Sequence, residues 1–461
     1  MKRHLTCLRT ALLLAILLGP FLRPALAAAG SASDSLRIQI ERIVAPYVSL
    51  GDFSGAILVA ERGQVLFSGG FGMADFELGV PNDPSTRFMI GSVSKQFTAA
   101  GVLLLEVEGR LKVNDPLSKF VPDYPRGDEI SLHHLLTHTS GVPDIYTLDA
   151  YATLRYADPS LADIVALFRD EPLDFDPGSQ YSYSNSGYVL LAYIVELVSG
   201  SNYAAFVRDR IFRPLGMNDS GALEDRGIVP GLATGYDPVG QTNLRRAIQV
   251  APALVTGAGS IYSTTEDLLR WDRALYTTAL LPDSSRAKMM TDYGSRYGYG
   301  VSVFERFGEP VIEHDGRLPG YACDFARYLD SKTVVIVLAN IQSAMRDRLR
   351  DDIAAILHGE APPNRDIRQA QDVTVNASRL AVVAGIYDFG PHFFVAVRNE
   401  SDCLYLRANQ GEESEFFPVA RDEFFSRALY AGAKFEFDEN GNAVAMEYLR
   451  EGRSFRGERR P

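Results

Sequence analysis

The sequence predicts an α+β fold: an antiparallel sheet with a helical subdomain inserted between its strands, followed by a small all-β C-terminal domain. Three observations carry this prediction. Strand patterns stand at both ends of the stretch from about Leu36 to His358, helix patterns fill its middle, and beyond about Val373 the apolar period becomes two. At 461 residues the chain exceeds the size at which one hydrophobic core usually stops growing, so two folded units suit its length.

Residues 1–27 read as a secretory signal. Lys2, Arg3 and Arg9 lead into "ALLLAILL", and "ALA" ending at Ala27 supplies a small-residue cleavage site. That apolar run is too short to span a bilayer, and Cys7 precedes it instead of closing it. The expected product is therefore a periplasmic or secreted protein without a stable membrane anchor. Cleavage removes Lys2, Arg3, Arg9 and Arg23 and no acid, leaving a chain more acidic than its full-length net charge of −12. Nucleic acid is excluded as a natural partner on that ground. Cys323 and Cys403 are the cysteines of the mature chain, and the sequence leaves their pairing open.

In the 36–358 unit, "SGAILVAERGQVLFSGGFG" is two alternating apolar runs around the turn "ERGQ", which predicts a hairpin. "TVVIVLAN" is short and β-branched enough to be a central strand. Between them "SLHHLLTH", "GYVLLAYIVELVSG" and "TEDLLRWDRALY" carry helical spacing, with Gly200 as a stop and Thr265 as an N-cap. Strands at both ends place the two ends of this unit side by side in one sheet. Residues 359–372, "GEAPPNRDIRQAQD" and its flank, interrupt the pattern with paired prolines and charges and read as a linker. Residues 373–461 read as an antiparallel sandwich or barrel, with a hairpin around Asn440 and Gly441.

The chemistry starts at "GSVSKQFTAAGVLLLEVEG". Val93, Phe97, Ala100, Leu104 and Val107 form a helical stripe, and Leu103 and Leu105 make further sides apolar, so this helix is buried. Ser92 and Lys95 are three residues apart and share one face of its first turn. Burial and the positive end of the helix dipole both disfavour an ammonium there, so Lys95 should titrate well below its ordinary value. A neutral amine can take the proton of Ser92, and N–H groups at a helix start can stabilise an oxyanion. Ser285 and Lys288 have the same spacing, but "LPDSSRAKMM" reads as an exposed helix start where the serine caps and the lysine is solvated.

Two further segments join this one. "PGSQYSYSNSGY" offers Tyr183 as a phenol for proton transfer and Asn185 as an amide to hold a peptide-like group. In "VIEHDGRLPGYACDFARYLD", Gly316 permits close approach to a strand edge whose backbone N–H can meet a substrate oxygen. His314 supplies a polar or cationic contact.

Together these segments resemble the serine β-lactamase and penicillin-binding protein superfamily, with its Ser-x-x-Lys motif, and within it the class C β-lactamase-like branch, where Tyr-x-Asn replaces Ser-Asp-Asn. The likeness runs from about Ile40 to Asn340 through "FMIGSVSKQFTA", "LHHLLTHTSGVPD", "YSYSNSGYVLLAYIVE", "RPLGMNDS", "GAGSIYSTTEDLLRWDRAL" and "HDGRLPGY". It implies a β-lactamase/transpeptidase-like fold and a serine hydrolase. Ser92 would be acylated, Lys95 and Tyr183 would manage its proton, and Tyr183 would be the base in deacylation. Asn185 would bind the acyl-side amide, and the N–H groups of Ser92 and Arg317 would form the oxyanion hole. No metal or organic cofactor is implied. The substrate would be a small ester, a D-amino-acid peptide or a β-lactam. His314 and Asp315 replace the lysine and hydroxyl with which lactamases hold a substrate carboxylate, which favours substrates whose recognised end is not negative. The C-terminal segment, from "LAVVAGIYDFG" to "YLREGRSFRGERR", resembles a lipocalin-like barrel that would hold a ligand, shape the rim or mediate self-association; the sequence leaves the oligomeric state open.

Two rival readings remain. A metallohydrolase would use His134, His138 and Asp144, but "HLLTH" lacks the glutamate of H-E-x-x-H. A non-catalytic protein could keep the fold to bind a cell-wall or peptide ligand, although Ser92, Lys95 and Tyr183 are all intact.

Overall fold

Arg62 and Gly63 both have positive φ (51° and 75°), the two-residue geometry that suits the twist of paired strands. They join β1 (Gly55–Glu61) to β2 (Gln64–Phe71) as the sequence predicts. In this computed structural model, residues 22–148, 159–223, 227–248, 250–343, 345–362, 373, 375–390, 393–409, 413–450 and 453–460 are described. The predicted cleavage point, Ala27, falls inside helix α1 (Leu22–Ser49), and residues 1–21 and 363–372, most of the signal and of the linker, lie outside the described residues.

β3 (Ser302–Arg306), β4 (Glu309–Leu318), β5 (Tyr321–Tyr328) and β6 (Thr333–Ala339) complete a six-stranded antiparallel sheet in the order β3-β4-β5-β6-β1-β2. β6, the "TVVIVLA" run, pairs with β5 on one side and β1 on the other, so the first and last strands of the unit are neighbours. Its residues alternate between two cores. Val334, Ile336 and Leu338 face the helical subdomain, while Val335 and Val337 face α1 and α7 (Met345–Leu357). Burial on both faces is why the run reads as continuously apolar rather than alternating.

The inserted subdomain includes α2 (Lys95–Val107), α3 (Leu132–Leu136), α4 (Leu161–Arg169), α5 (Asn185–Ser199) and α6 (Thr265–Ala274). α2 is buried along nearly its whole length, and only its C-terminal Val107 emerges. Gly200 ends α5 with φ +76°, as predicted. The cap of α6 is Thr264, one residue before the expected Thr265; its side chain accepts from Asp267 N at 3.2 Å. Among the described residues no single helix is long and apolar enough to cross a membrane.

After α8 (Ala377–Val383), eight strands, β7 (Gly385–Asp388) to β14 (Arg453–Arg459), close into a barrel. The β12 (Ala431–Phe437) to β13 (Ala443–Arg450) hairpin turns at Asn440 and Gly441, where it was expected. Leu404, Phe416, Phe424, Phe435 and Met446 pack its centre. The barrel is docked through Arg427, which is 1 % exposed and bonds Asp52 Oδ1 at 2.7 Å and Asn243 O at 2.6 Å. Cys323 is buried and Cys403 partly exposed, and both are free thiols.

Candidate active site

Ser92 sits in a 3-10 turn, Gly91–Ser94, that runs directly into α2 at Lys95. The three-residue offset brings Lys95 Nζ to 3.0 Å from Ser92 Oγ. Nζ is also 2.9 Å from Asn185 Oδ1 and 3.0 Å from Ala258 O. Lys95 is 0 % exposed, and among the described residues no carboxylate pairs with it.

As an ammonium, Lys95 donates to all three oxygens. Once it loses a proton, two N–H bonds can stay with Asn185 and Ala258, and the lone pair is free to accept from the Ser92 hydroxyl. Burial pushes the Lys95 pKa down to about 7, although the more distant charges of Asp144 and Asp315 pull the other way. An uncharged base beside the serine is therefore accessible near neutral pH.

Tyr183 lies in the loop before α5, with its ring centre 4.7 Å from Lys95 Nζ. Its phenol pKa is raised well above the ordinary value, by burial first, against a lowering hydrogen bond to Ser92. The phenol thus keeps its proton in the resting protein. Below it His138, at φ +58°, packs against the Tyr183 ring at 4.2 Å between centroids.

Asn185 opens α5, and its amide is held on both sides. Oδ1 accepts from Lys95, while backbone N and Nδ2 donate to Asp144 Oδ2 at 2.8 and 2.9 Å. Asp144 and Ala258 are groups that the sequence reading did not place here. "SGVPD" is a turn signal, but only the tertiary fold brings it under Asn185.

The metal reading used the same segment differently. His138 Nδ1 accepts from Ser184 N at 3.1 Å, and His134 Nδ1 from Ser131 N at 3.3 Å in the capping box of α3. Among the described residues no group of three or more His, Cys, Asp or Glu is arranged to hold a metal ion.

β4 closes the other side. A Cβ on Gly316 would lie 2.0 Å from Ile90 O and 3.1 Å from Ser92 N, and one on Gly91 would lie 2.7 Å from Arg317 N. Only glycines let the two backbones approach so closely, with the Ser92 and Arg317 nitrogens at the point of approach.

His314 differs from expectation. It is 3 % exposed, with Nδ1 2.6 Å from Asp315 O and Nε2 2.9 Å from the Tyr297 hydroxyl. Facing a carbonyl, Nδ1 carries the proton and Tyr297 donates to Nε2. Burial pushes the His314 pKa down to about 4, the Asp315 charge opposing and Lys95 assisting, which favours the polar, uncharged one of the two contacts expected of it. The Asp315 carboxylate, 53 % exposed, pairs with Arg346 at 2.6 Å, and the Arg317 guanidinium lies 4.0 Å from Asp347.

Comparison with known proteins agrees with this geometry. The Beta-lactamase family model matches residues 40–360. Penicillin-binding protein 4* of Bacillus subtilis (strain 168) is 30% identical over 420 residues, covering 84% of this chain and 91% of its own. Teichoic acid D-alanine hydrolase of Staphylococcus aureus (strain MRSA252) is 27% identical over 324 residues, 69% of this chain and 78% of its own. The octameric penicillin-binding protein homologue from Pyrococcus abyssi superposes with a TM-score of 0.63 at 26% identity, covering 91% of this chain and 98% of that one. The match embraces the whole sheet and helical subdomain, with the serine, lysine and tyrosine gathered at their junction, and the chain belongs to the β-lactamase family as a serine hydrolase of the β-lactamase-related type.

Proposed function

We propose that this is an exported hydrolase that forms an acyl-enzyme on Ser92 and cleaves small esters or amides of D-amino acids, D-alanyl compounds foremost. The observation that carries the reading is the fully buried Lys95 amine 3.0 Å from the Ser92 hydroxyl. Export rests on the signal features of residues 1–27.

In the first step the Ser92 oxygen bonds to the substrate carbonyl carbon while its proton passes to Lys95. The oxyanion lies against the N–H groups of Ser92 and Arg317. The bond from carbon to the leaving oxygen or nitrogen then breaks. Tyr183, protonated and close to both Ser92 and Lys95, hands its proton to the leaving group and recovers one from Lys95. Water repeats the sequence in reverse: Lys95, relayed by Tyr183, takes a proton from the water, and Ser92 leaves with a proton restored. Asn185 holds the carbonyl on the acyl side.

The substrate preference follows from charge. A neutral His314 and the Asp315 carboxylate offer little to the carboxylate that β-lactams carry, and a relative is named for hydrolysing D-alanine from teichoic acid. The mature protein should turn over D-alanyl p-nitroanilide and p-nitrophenyl esters at least tenfold faster, in kcat/KM, than nitrocefin. The reverse order would make it a lactamase. Binding of all three without turnover by Ser92 would favour the non-catalytic binding protein.

A further inference from the structure

The Asp144 carboxylate is not used by the chemistry above, yet it is the most constrained acid near it. Oδ2 receives both Asn185 N–H groups, backbone and side chain, and Oδ1 receives Tyr146 N at 2.8 Å, while the Asp144 backbone oxygen accepts from Thr147 Oγ1 at 2.7 Å. The carboxylate therefore cannot swing. Turning the Asn185 amide over would set its NH2 against the Lys95 N–H and its oxygen against the Asp144 carboxylate, so the amide orientation is fixed from both ends. With Oδ1 given to Lys95 and one hydrogen of Nδ2 to Asp144, the second hydrogen of Nδ2 has no partner among the described residues.

We infer that Asp144 is a positioning residue for the acyl-side subsite, locking Asn185 so that its remaining side-chain N–H is presented to the carbonyl of an aminoacyl or peptidyl substrate. The inference rests on the proposed role of Asn185 and deepens it. The subsite takes a neutral acceptor, and the carboxylate behind Asn185 repels an anionic one. Asp174, whose pKa is raised by burial first and by the Asp144 charge second, adds to that repulsion when ionised.

A second consequence follows from the charge of Asp144. The groups facing Lys95 are Asp144 and His138 from the segment after α3, Tyr183 and Tyr188 from the start of α5, and His314 and Asp315 from β4. Of these Asp144 and Asp315 are the carboxylates, and both support the ammonium form of Lys95. Removing the negative charge of Asp144 withdraws support from the ammonium form, so Lys95 becomes neutral at a lower pH.

The test compares wild type, Asp144→Asn and Asp144→Glu in two assays: fluorophosphonate labelling rate against pH, and steady-state turnover of D-alanyl p-nitroanilide. For Asp144→Asn the acid limb of labelling should move to lower pH, and KM should rise about fivefold as the Asn185 amide loses its fixed orientation. Asp144→Glu keeps the charge but not the fit, so its limb should stay near wild type while KM rises. An Asp144→Asn limb and KM both equal to wild type would overturn the inference, as would a KM unchanged in Asp144→Glu. If labelling survives Ser92→Ala, it is the parent reading that fails; if Ser92→Ala abolishes labelling while Asp144→Asn changes nothing, only the role of Asp144 fails.

Discussion

Ser92 and Lys95 share a spacing with Ser285 and Lys288, and the two pairs have opposite fates. Lys95 is 0 % exposed and faces a hydroxyl, an amide oxygen and a backbone carbonyl. Lys288 is 42 % exposed and bonds Glu106 Oε2 at 2.7 Å. Ser285 is buried inside the helix Asp283–Met290 rather than capping it, since the N-cap there is Pro282. A buried arginine completes the contrast. Arg427 is as hidden as Lys95 but has Asp52 as its partner. Burial alone does not make a base; burial beside neutral acceptors, without a carboxylate in contact, does.

Breaking the comparison at the serines gives the largest effect. Ser92→Ala should lower turnover by about 10⁴-fold or more, whereas Ser285→Ala should leave kcat/KM within about twofold. Exchanging the lysines is next. Lys95→Arg, which keeps the charge but cannot shed its proton, should lose about 10³-fold or more in acylation rate by stopped-flow. Lys288→Arg should be neutral. Tyr183→Phe should cost about 10²- to 10⁴-fold, and equal losses at pH 6 and pH 9 would separate a proton relay from a base that must first ionise.

How much of this was legible in the sequence depends on whether the deciding contact was local. The hairpin at Arg62 and Gly63, the stop at Gly200 and the Lys95-to-Ser92 reach are set within a few residues, and pattern revealed them. Thr264 rather than Thr265 caps α6, a one-residue error between adjacent threonines of equal capping chemistry. Asp144 and Ala258 lie 49 and 163 residues from Lys95, and nothing in their own segments signals Lys95. The choice between a polar and a cationic His314 was open for the same reason, because Tyr297 and the burial that favour the neutral ring are tertiary.

The smaller effects concern stability. Arg427→Met takes the guanidinium away from the buried Asp52 carboxylate, and urea unfolding should register a loss of about 3–5 kcal/mol. Lys288→Met removes a partly exposed ion pair and should cost no more than about 1 kcal/mol. Similar losses for the two would dissolve the distinction between paired burial and solvated pairing.

The claim on which the account rests is an uncharged Lys95 beside Ser92, and fluorophosphonate labelling of the full chain from pH 5 to pH 9, with the adduct mapped by peptide mass spectrometry, tests it most directly. The account predicts a single adduct on Ser92, with a rate that levels off above about pH 7 and falls about tenfold for each pH unit below it as Lys95 takes up its proton. An adduct on another serine, or a Ser92 rate that stays flat down to pH 5, would contradict it.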